Sequence, residues 1–184
     1  MTMTLWMTLV IALLLLILVF IVIGTLHSGI SPMPSSKKAY QAMETMADQT
    51  GNTPLVDLGS GWGNLALRLA KRYPDRQVYG YEVSWIPFLF SVMMKKLLKL
   101  DNLTLARQDF FTADWPDNAT LLCYLFPGAM QRVADVLKQD KTSVDYVICN
   151  NFALPGHQPE QSMQIQDFYR SPIYFYRLAS ITSS

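Results

Sequence analysis

The chain has 184 residues, 51% of them hydrophobic, with 15 basic and 14 acidic side chains and a net charge of +1. That length holds one domain and a short appendage, and the near-neutral balance gives no electrostatic basis for binding nucleic acid. The two cysteines, Cys123 and Cys149, lie inside apolar runs, which excludes a disulfide framework or metal-ligand spacing and reads as buried, reduced thiols.

In chain order, a short tail (1–4) leads into Leu5–Leu26, which carries no Asp, Glu, Lys or Arg. As a helix it would span about 33 Å against a hydrocarbon core of about 30 Å, so it is expected to cross a membrane. No basic residue precedes Lys37, and "GTLHSG" is a poor cleavage site, so a retained anchor is expected over a cleaved signal peptide. Lys37 and Lys38 follow the span, which places the rest of the chain on the cytoplasmic side. Residues 27–36, "HSGISPMPSS", form a linker that Pro32 and Pro34 keep from regular helix. His27 adjoins the expected membrane interface.

The domain assigned to 37–184 alternates strands and helices. A helix capped by Ser35 or Ser36 runs to about Gln49. "PLVDLG" reads as a strand and "WGNLALRLAKRY" as an amphipathic helix. "QVYGYEV" follows as a second strand, then the helix "SWIPFLFSVMMKKLLKL" with Ser84 as cap and Pro87 in its first turn. That helix is apolar around most of its circumference. It is either core or an interfacial surface that tilts the domain toward a bilayer. "LTLARQD" and "TLLCYLF" are strands, "GAMQRVADVLKQ" a helix and "VDYVICN" a strand. "MQIQDFY" and "SPIYFYRL" read as a hairpin turning at Ser171–Pro172. The pattern predicts an α/β, Rossmann-like sheet, mainly parallel, with helices on both faces and a C-terminal antiparallel hairpin.

In such a sheet a ligand binds at the carboxyl ends of the strands, beside the first strand. "VDLGSGWGN" occupies that turn. Gly59, Gly61 and Gly63 permit unusual φ and close approach of a ligand to the backbone, and the next helix offers free N–H groups. A dinucleotide site wants G-x-G-x-x-G, and here the third glycine comes one position early, which disfavours a dehydrogenase. Asp57 precedes the first glycine by two positions.

The pattern D-x-G-x-G-x-G resembles motif I of class I S-adenosylmethionine-dependent methyltransferases. The resemblance implies that the turn, Ser60 included, passes under the methionine part of S-adenosylmethionine and that Asp57 orders the loop. Glu82, ending the second strand, is the expected acceptor for ribose hydroxyls. Asp109 with Phe110, after the third strand, stands where the family meets adenine. The order of anchor, Pro-rich lead-in, motif I and "YGYEVSWIPFLFS" further resembles the small membrane-anchored lysine methyltransferases of the ATP synthase c subunit and their bacterial relatives. This covers about residues 30–178. It implies a lid role for Pro34, Ser35 and Ser36 beside the plainer one of linker and cap. The family often has a small polar or acidic residue where Trp62 stands, and "NNFALPGHQPE" matches only loosely.

The resemblance implies methylation of a lysine in an integral membrane protein, the c subunit being one candidate; the cytosol-facing anchor without a transit peptide suits a single-pass protein of a bacterial inner membrane with its domain in the cytoplasm. Neither metal nor nucleic acid is implied. Tyr124 and Asn150 are the expected groups for positioning the acceptor, with Phe126 and Asn151 beside them. Ordinary strand-end packing remains the alternative for each. His157 sits in a Pro/Gly loop and reads as surface rather than as a base. A lipid or quinone-precursor methyltransferase and a non-catalytic cofactor-binding assembly module remain as alternatives.

Overall fold

The computed structural model describes residues 6–16, 37–139, 143–166 and 170–178. The chain divides into two compact units, Met1–Pro34 and Ser35–Ser184. In the first, residues 6–16 are helical and exposed. The rest of the expected span lies outside the described residues. Among the described residues, no helix is long and apolar enough to cross a membrane.

In the second unit the helices are α1 (Lys37–Ala47), α2 (Asn64–Arg72), α3 (Trp85–Leu98) and α4 (Pro127–Leu137). The strands are β1 (Leu55–Leu58), β2 (Val78–Tyr81), β3 (Leu103–Ala106), β4 (Ala119–Cys123), β5 (Val144–Asn150), β6 (Gln161–Gln164) and β7 (Pro172–Arg177). They form one sheet in the order β3-β2-β1-β4-β5-β7-β6. The first five strands pair in parallel, and β7 runs antiparallel to both its neighbours. The expected α/β sheet and C-terminal hairpin are both present. The reversal is not at Ser171–Pro172, because Pro172 already pairs with Gln164; Ile165 N–H closes the turn on the Ser171 carbonyl.

Every residue of β1 is buried, because both faces of the sheet are covered there. Leu55, Val78, Leu103 and Ile148 pack in one layer with Met43 of α1 and Leu65 and Leu69 of α2. Val56, Leu121 and Val147 pack on the other with Met130 and Val133 of α4. Cys123 and Cys149 are register partners, both free and buried. Burial, with Cys123 alongside, holds the Cys149 thiol well above its usual range, so it carries no thiolate near neutral pH.

A buried arginine fastens the amino-terminal edge of the sheet. Arg76 Nε donates to the Thr53 carbonyl at 2.9 Å and Nη1 to the Ala47 carbonyl at 3.0 Å. Its Nη2 reaches Thr50 Oγ1 at 2.9 Å and the Thr53 carbonyl at 2.7 Å. The end of α1 is thereby tied to the entries of β1 and β2. Nearby, Glu44 of α1 takes both Nε and Nη2 of Arg68 in α2, at 2.8 and 3.2 Å.

Candidate functional site

The parallel strands end together. Leu58 pairs with Tyr81 on one side and with Cys123 on the other. Gly59, Glu82 and Tyr124 therefore leave the sheet side by side. The chain runs β1 to β2 to β3 in one direction and returns to β4 across β1, so this is where its direction switches.

The three glycines of the turn do different jobs. All have positive φ, which L side chains adopt at a cost. A Cβ on Gly61 would meet nothing within 4 Å, so this peptide borders open space. A Cβ on Gly63 would lie 2.7 Å from Ser91 Cβ of α3, so this glycine is a packing requirement. Beside the ligand approach expected of it, Gly63 is thus also needed for packing against α3. Its neighbour Ser91 is the one fully buried residue of α3.

Glu82 holds the turn. Its Oε2 accepts the Gly61 N–H at 2.9 Å and its Oε1 the Ser84 N–H at 2.7 Å. Each oxygen keeps a further lone pair, so the carboxylate is fixed in place with acceptor capacity left over. Ser84 stands at the N-cap of α3 as expected, but its hydroxyl makes no cap bond. Asp57 is buried, and its Oδ2 accepts the Ala66 N–H at 3.1 Å, which ties β1 to the first turn of α2. Burial pushes the Asp57 pKa up to about 7; the Ala66 bond opposes this and the charge of Glu82 adds to it. Ser60 is buried, its N–H bonds the Tyr81 carbonyl at 2.8 Å, and its Oγ has no protein partner. Gly80 makes room for that side chain, since a Cβ there would come within 3.2 Å of it.

Asp109 Oδ1 accepts the Phe111 N–H at 3.0 Å and caps the short turn Phe110–Thr112. The carboxylate is therefore not merely solvated, and its second oxygen has no described partner. Phe110 lies against the glycine turn, 3.9 Å from where a Gly59 Cβ would be.

At the ends of β4 and β5, Asn151 Nδ2 reaches Tyr124 Oη at 3.5 Å, and Asn151 adopts φ +70°. Asn150 is 2% exposed, and its Oδ1 has no protein partner. Phe126 and Phe152, both about two-fifths exposed, lie on the turns leaving these strands. The sequence had singled out Phe126 but not Phe152, which carried no motif. His157, half-buried in a mostly exposed loop, has its Nδ1 3.0 Å from the Pro155 carbonyl. Pro34, Ser35 and Ser36 lie outside the described residues.

The set around the turn suits a ligand with hydroxyls and an amino-acid end. It offers a fixed carboxylate with free lone pairs, an unpartnered buried hydroxyl and a backbone edge open to space. A family model described as the ANTKMT methyltransferase domain matches residues 57–161, more than half of the chain. An RNA methyltransferase from Salinibacter ruber, solved with S-adenosyl-L-homocysteine, superposes with a TM-score of 0.67 at 21% identity, covering 83% of this chain and 98% of that one. The Escherichia coli protein yhhF superposes with a TM-score of 0.62 at 12% identity, over 79% and 86% of the two chains. TYW2 of M. jannaschii, solved with AdoMet, gives 0.51 at 18% identity, over 65% and 54%. These three likenesses speak to the fold. No curated protein matches the chain by sequence. The chain belongs to the ANTKMT methyltransferase domain family. It is a class I S-adenosylmethionine-dependent methyltransferase related to the ATP synthase c-subunit methyltransferases, and S-adenosylmethionine is its cofactor.

Proposed function

We propose that this methyltransferase is anchored in a membrane through Leu5–Leu26 and N-methylates a lysine of an integral membrane protein. The c subunit of ATP synthase is the first candidate, and the setting is a bacterial inner membrane with the domain in the cytoplasm. The charge-free stretch 5–26 followed by Lys37 and Lys38 supports the anchor and its orientation. Within the domain, Asp57, Gly59, Ser60, Gly61, Gly63, Glu82 and Asp109 with Phe110 are the residues assigned to the cofactor. Glu82 would take the ribose hydroxyls and Ser60 Oγ the amino-acid end. Pro34, Ser35 and Ser36 are assigned to a lid.

The observation that carries the amine acceptor is Asn150. A buried amide oxygen without a partner is costly unless a donor arrives. An amine N–H is such a donor, and Asn150 follows directly from the register pair Cys123–Cys149 at the strand ends. Tyr124, held by Asn151, would fix the second side of the amine. The rings of Phe126 and Phe152 would shield the lysine stem from water.

When bound, S-adenosylmethionine would supply a methyl group on a sulfonium: the neutral amine nitrogen would bond to the methyl carbon as the carbon–sulfur bond breaks, S-adenosylhomocysteine would leave as a neutral thioether, and the methylated ammonium would give its proton to solvent. The domain's contribution is placement. It must also favour the neutral amine, because deprotonating an ordinary lysine at pH 7.5 costs about 4 kcal/mol. An aromatic, partly dry wall lowers that cost.

The test incubates membranes lacking this protein with tritiated S-adenosylmethionine and the full-length chain, with Gly59→Arg as the blocked control. Label in a protease-sensitive protein band supports the proposal. Label in protease-resistant lipid moves the acceptor to a lipid or quinone precursor. Bound cofactor with no transfer to membranes or to added soluble extract moves the chain to a non-catalytic module.

A further inference from the structure

Helix α3 resolves differently from a core helix. Of its 14 residues only Ser91 is buried. Trp85, Leu89, Phe90, Met93 and Leu97 are exposed, Leu97 at 71%, Trp85 at 59% and Met93 at 54%. Their spacing puts them on one continuous stripe of the helix. Trp62 of the glycine turn extends it, its ring meeting Phe90 edge-on at 5.3 Å. A bare apolar stripe of this size on a folded domain calls for a partner.

The charges identify that partner. Between Glu82, held by the glycine turn, and Asp101, beyond the helix, there is no acidic residue, while Lys95, Lys96 and Lys99 stand at the carboxyl end of the helix. Lys96 and Lys99 are exposed. Arg107 lies 4.1 Å over the Trp85 ring and brings a further positive charge to the other end. Tryptophan and leucine on one face, with lysine at its margin and no acid, match the interface of a bilayer with anionic headgroups.

We propose that the exposed face of α3 lies in the anionic headgroup region of a membrane, so that the domain itself docks on the bilayer. This deepens, and rests on, the reading of the enzyme as one that works at a membrane. Gly63 packs on Ser91 and Trp62 on Phe90, so the docked helix and the cofactor turn form one unit. Docking would therefore set how the strand-end pocket faces a membrane-embedded lysine.

The experiment places a nitroxide at Met93→Cys or at Gln131→Cys in the full-length chain; Cys123 and Cys149 are buried and escape the label. Gln131 is exposed on α4. The chain is combined with nanodiscs containing phosphatidylglycerol, and collision with oxygen is compared with collision with a water-soluble nickel chelate. The expected result is that oxygen dominates at Met93 and the nickel chelate at Gln131. Replacing Lys95, Lys96 and Lys99 with Gln should lower the docked-to-undocked ratio about fivefold per lysine. A Met93 label as accessible to nickel as Gln131 overturns the proposal. So does a Met93 label shielded from both reagents, which would mean a second copy or the chain's own apolar segment covers the face. Resistance to alkaline carbonate, read on the same samples, reports the anchor independently. An anchored chain with a water-exposed Met93 defeats the docking alone, and an extractable chain with an oxygen-accessible Met93 defeats the anchor alone.

Discussion

The Glu82 carboxylate accepts the Gly61 N–H at 2.9 Å, so the end of the second strand and the glycine turn brace each other before the cofactor is considered. A turn already fixed loses less freedom on binding, which is how preorganisation raises affinity.

Glu82→Ala should therefore weaken binding about 100-fold, since hydrogen bonds to a charged group contribute about 1.5–3 kcal/mol each. Glu82→Gln should lose about tenfold, because one acceptor oxygen remains. Calorimetric titration with S-adenosylhomocysteine measures both, and circular dichroism should show the fold unchanged.

Gly61 and Gly63 should separate binding from folding. Gly61→Ala meets only the strain of its φ of +54°, about 1 kcal/mol, and places a methyl where the cofactor passes. Its melting temperature should fall little while affinity falls strongly. Gly63→Ala drives a methyl to 2.7 Å from Ser91 Cβ and should cost about 2–4 kcal/mol. Adding Ser91→Gly should restore a measurable part, as a double-mutant cycle would show.

Asp57 makes stability and binding respond oppositely to pH. Its folded pKa of about 7 lies above its unfolded value of 3.8, so the folded chain keeps a proton that the unfolded chain has released. Stability should thus fall as pH rises between those values, by up to about 1.4 kcal/mol per unit, and level off above 7. Asp57→Asn should flatten this slope in urea titrations. A cationic cofactor favours ionised Asp57, so affinity should rise with pH up to the same point, by at most about tenfold per unit.

Arg76→Met should destabilise the domain by about 3 kcal/mol, because the buried Ala47 carbonyl and the half-buried Thr53 carbonyl lose their donors. Cofactor affinity per folded molecule should be unchanged, since this edge lies opposite the strand ends.

The residues around the glycine turn were readable because they are local. A strand, a turn that needs positive φ, and a carboxylate at the next strand end leave fixed marks in sequence. The sheet followed from the alternation of apolar strands and amphipathic helices. What each glycine does was not readable, because the contact of Gly63 with Ser91 joins two helices distant in sequence. Arg76 carried no mark either, since its partners are mostly backbone carbonyls. The apolar helix α3 stayed ambiguous because a core face and a bilayer face use the same residues; only exposure separates them. Asn150 was noticed for its place at a strand end, but its unpartnered oxygen appears only in three dimensions.

The most direct test of the account is to locate the transferred methyl. Membranes would be treated with trideuteromethyl S-adenosylmethionine and the full-length chain, and the modified peptide sequenced by fragmentation mass spectrometry. The account predicts the label on a lysine side-chain nitrogen of a membrane protein, strongly reduced with Glu82→Ala or Asn150→Ala. Label on any other atom, or on a lysine at the same rate with Glu82→Ala, would contradict it.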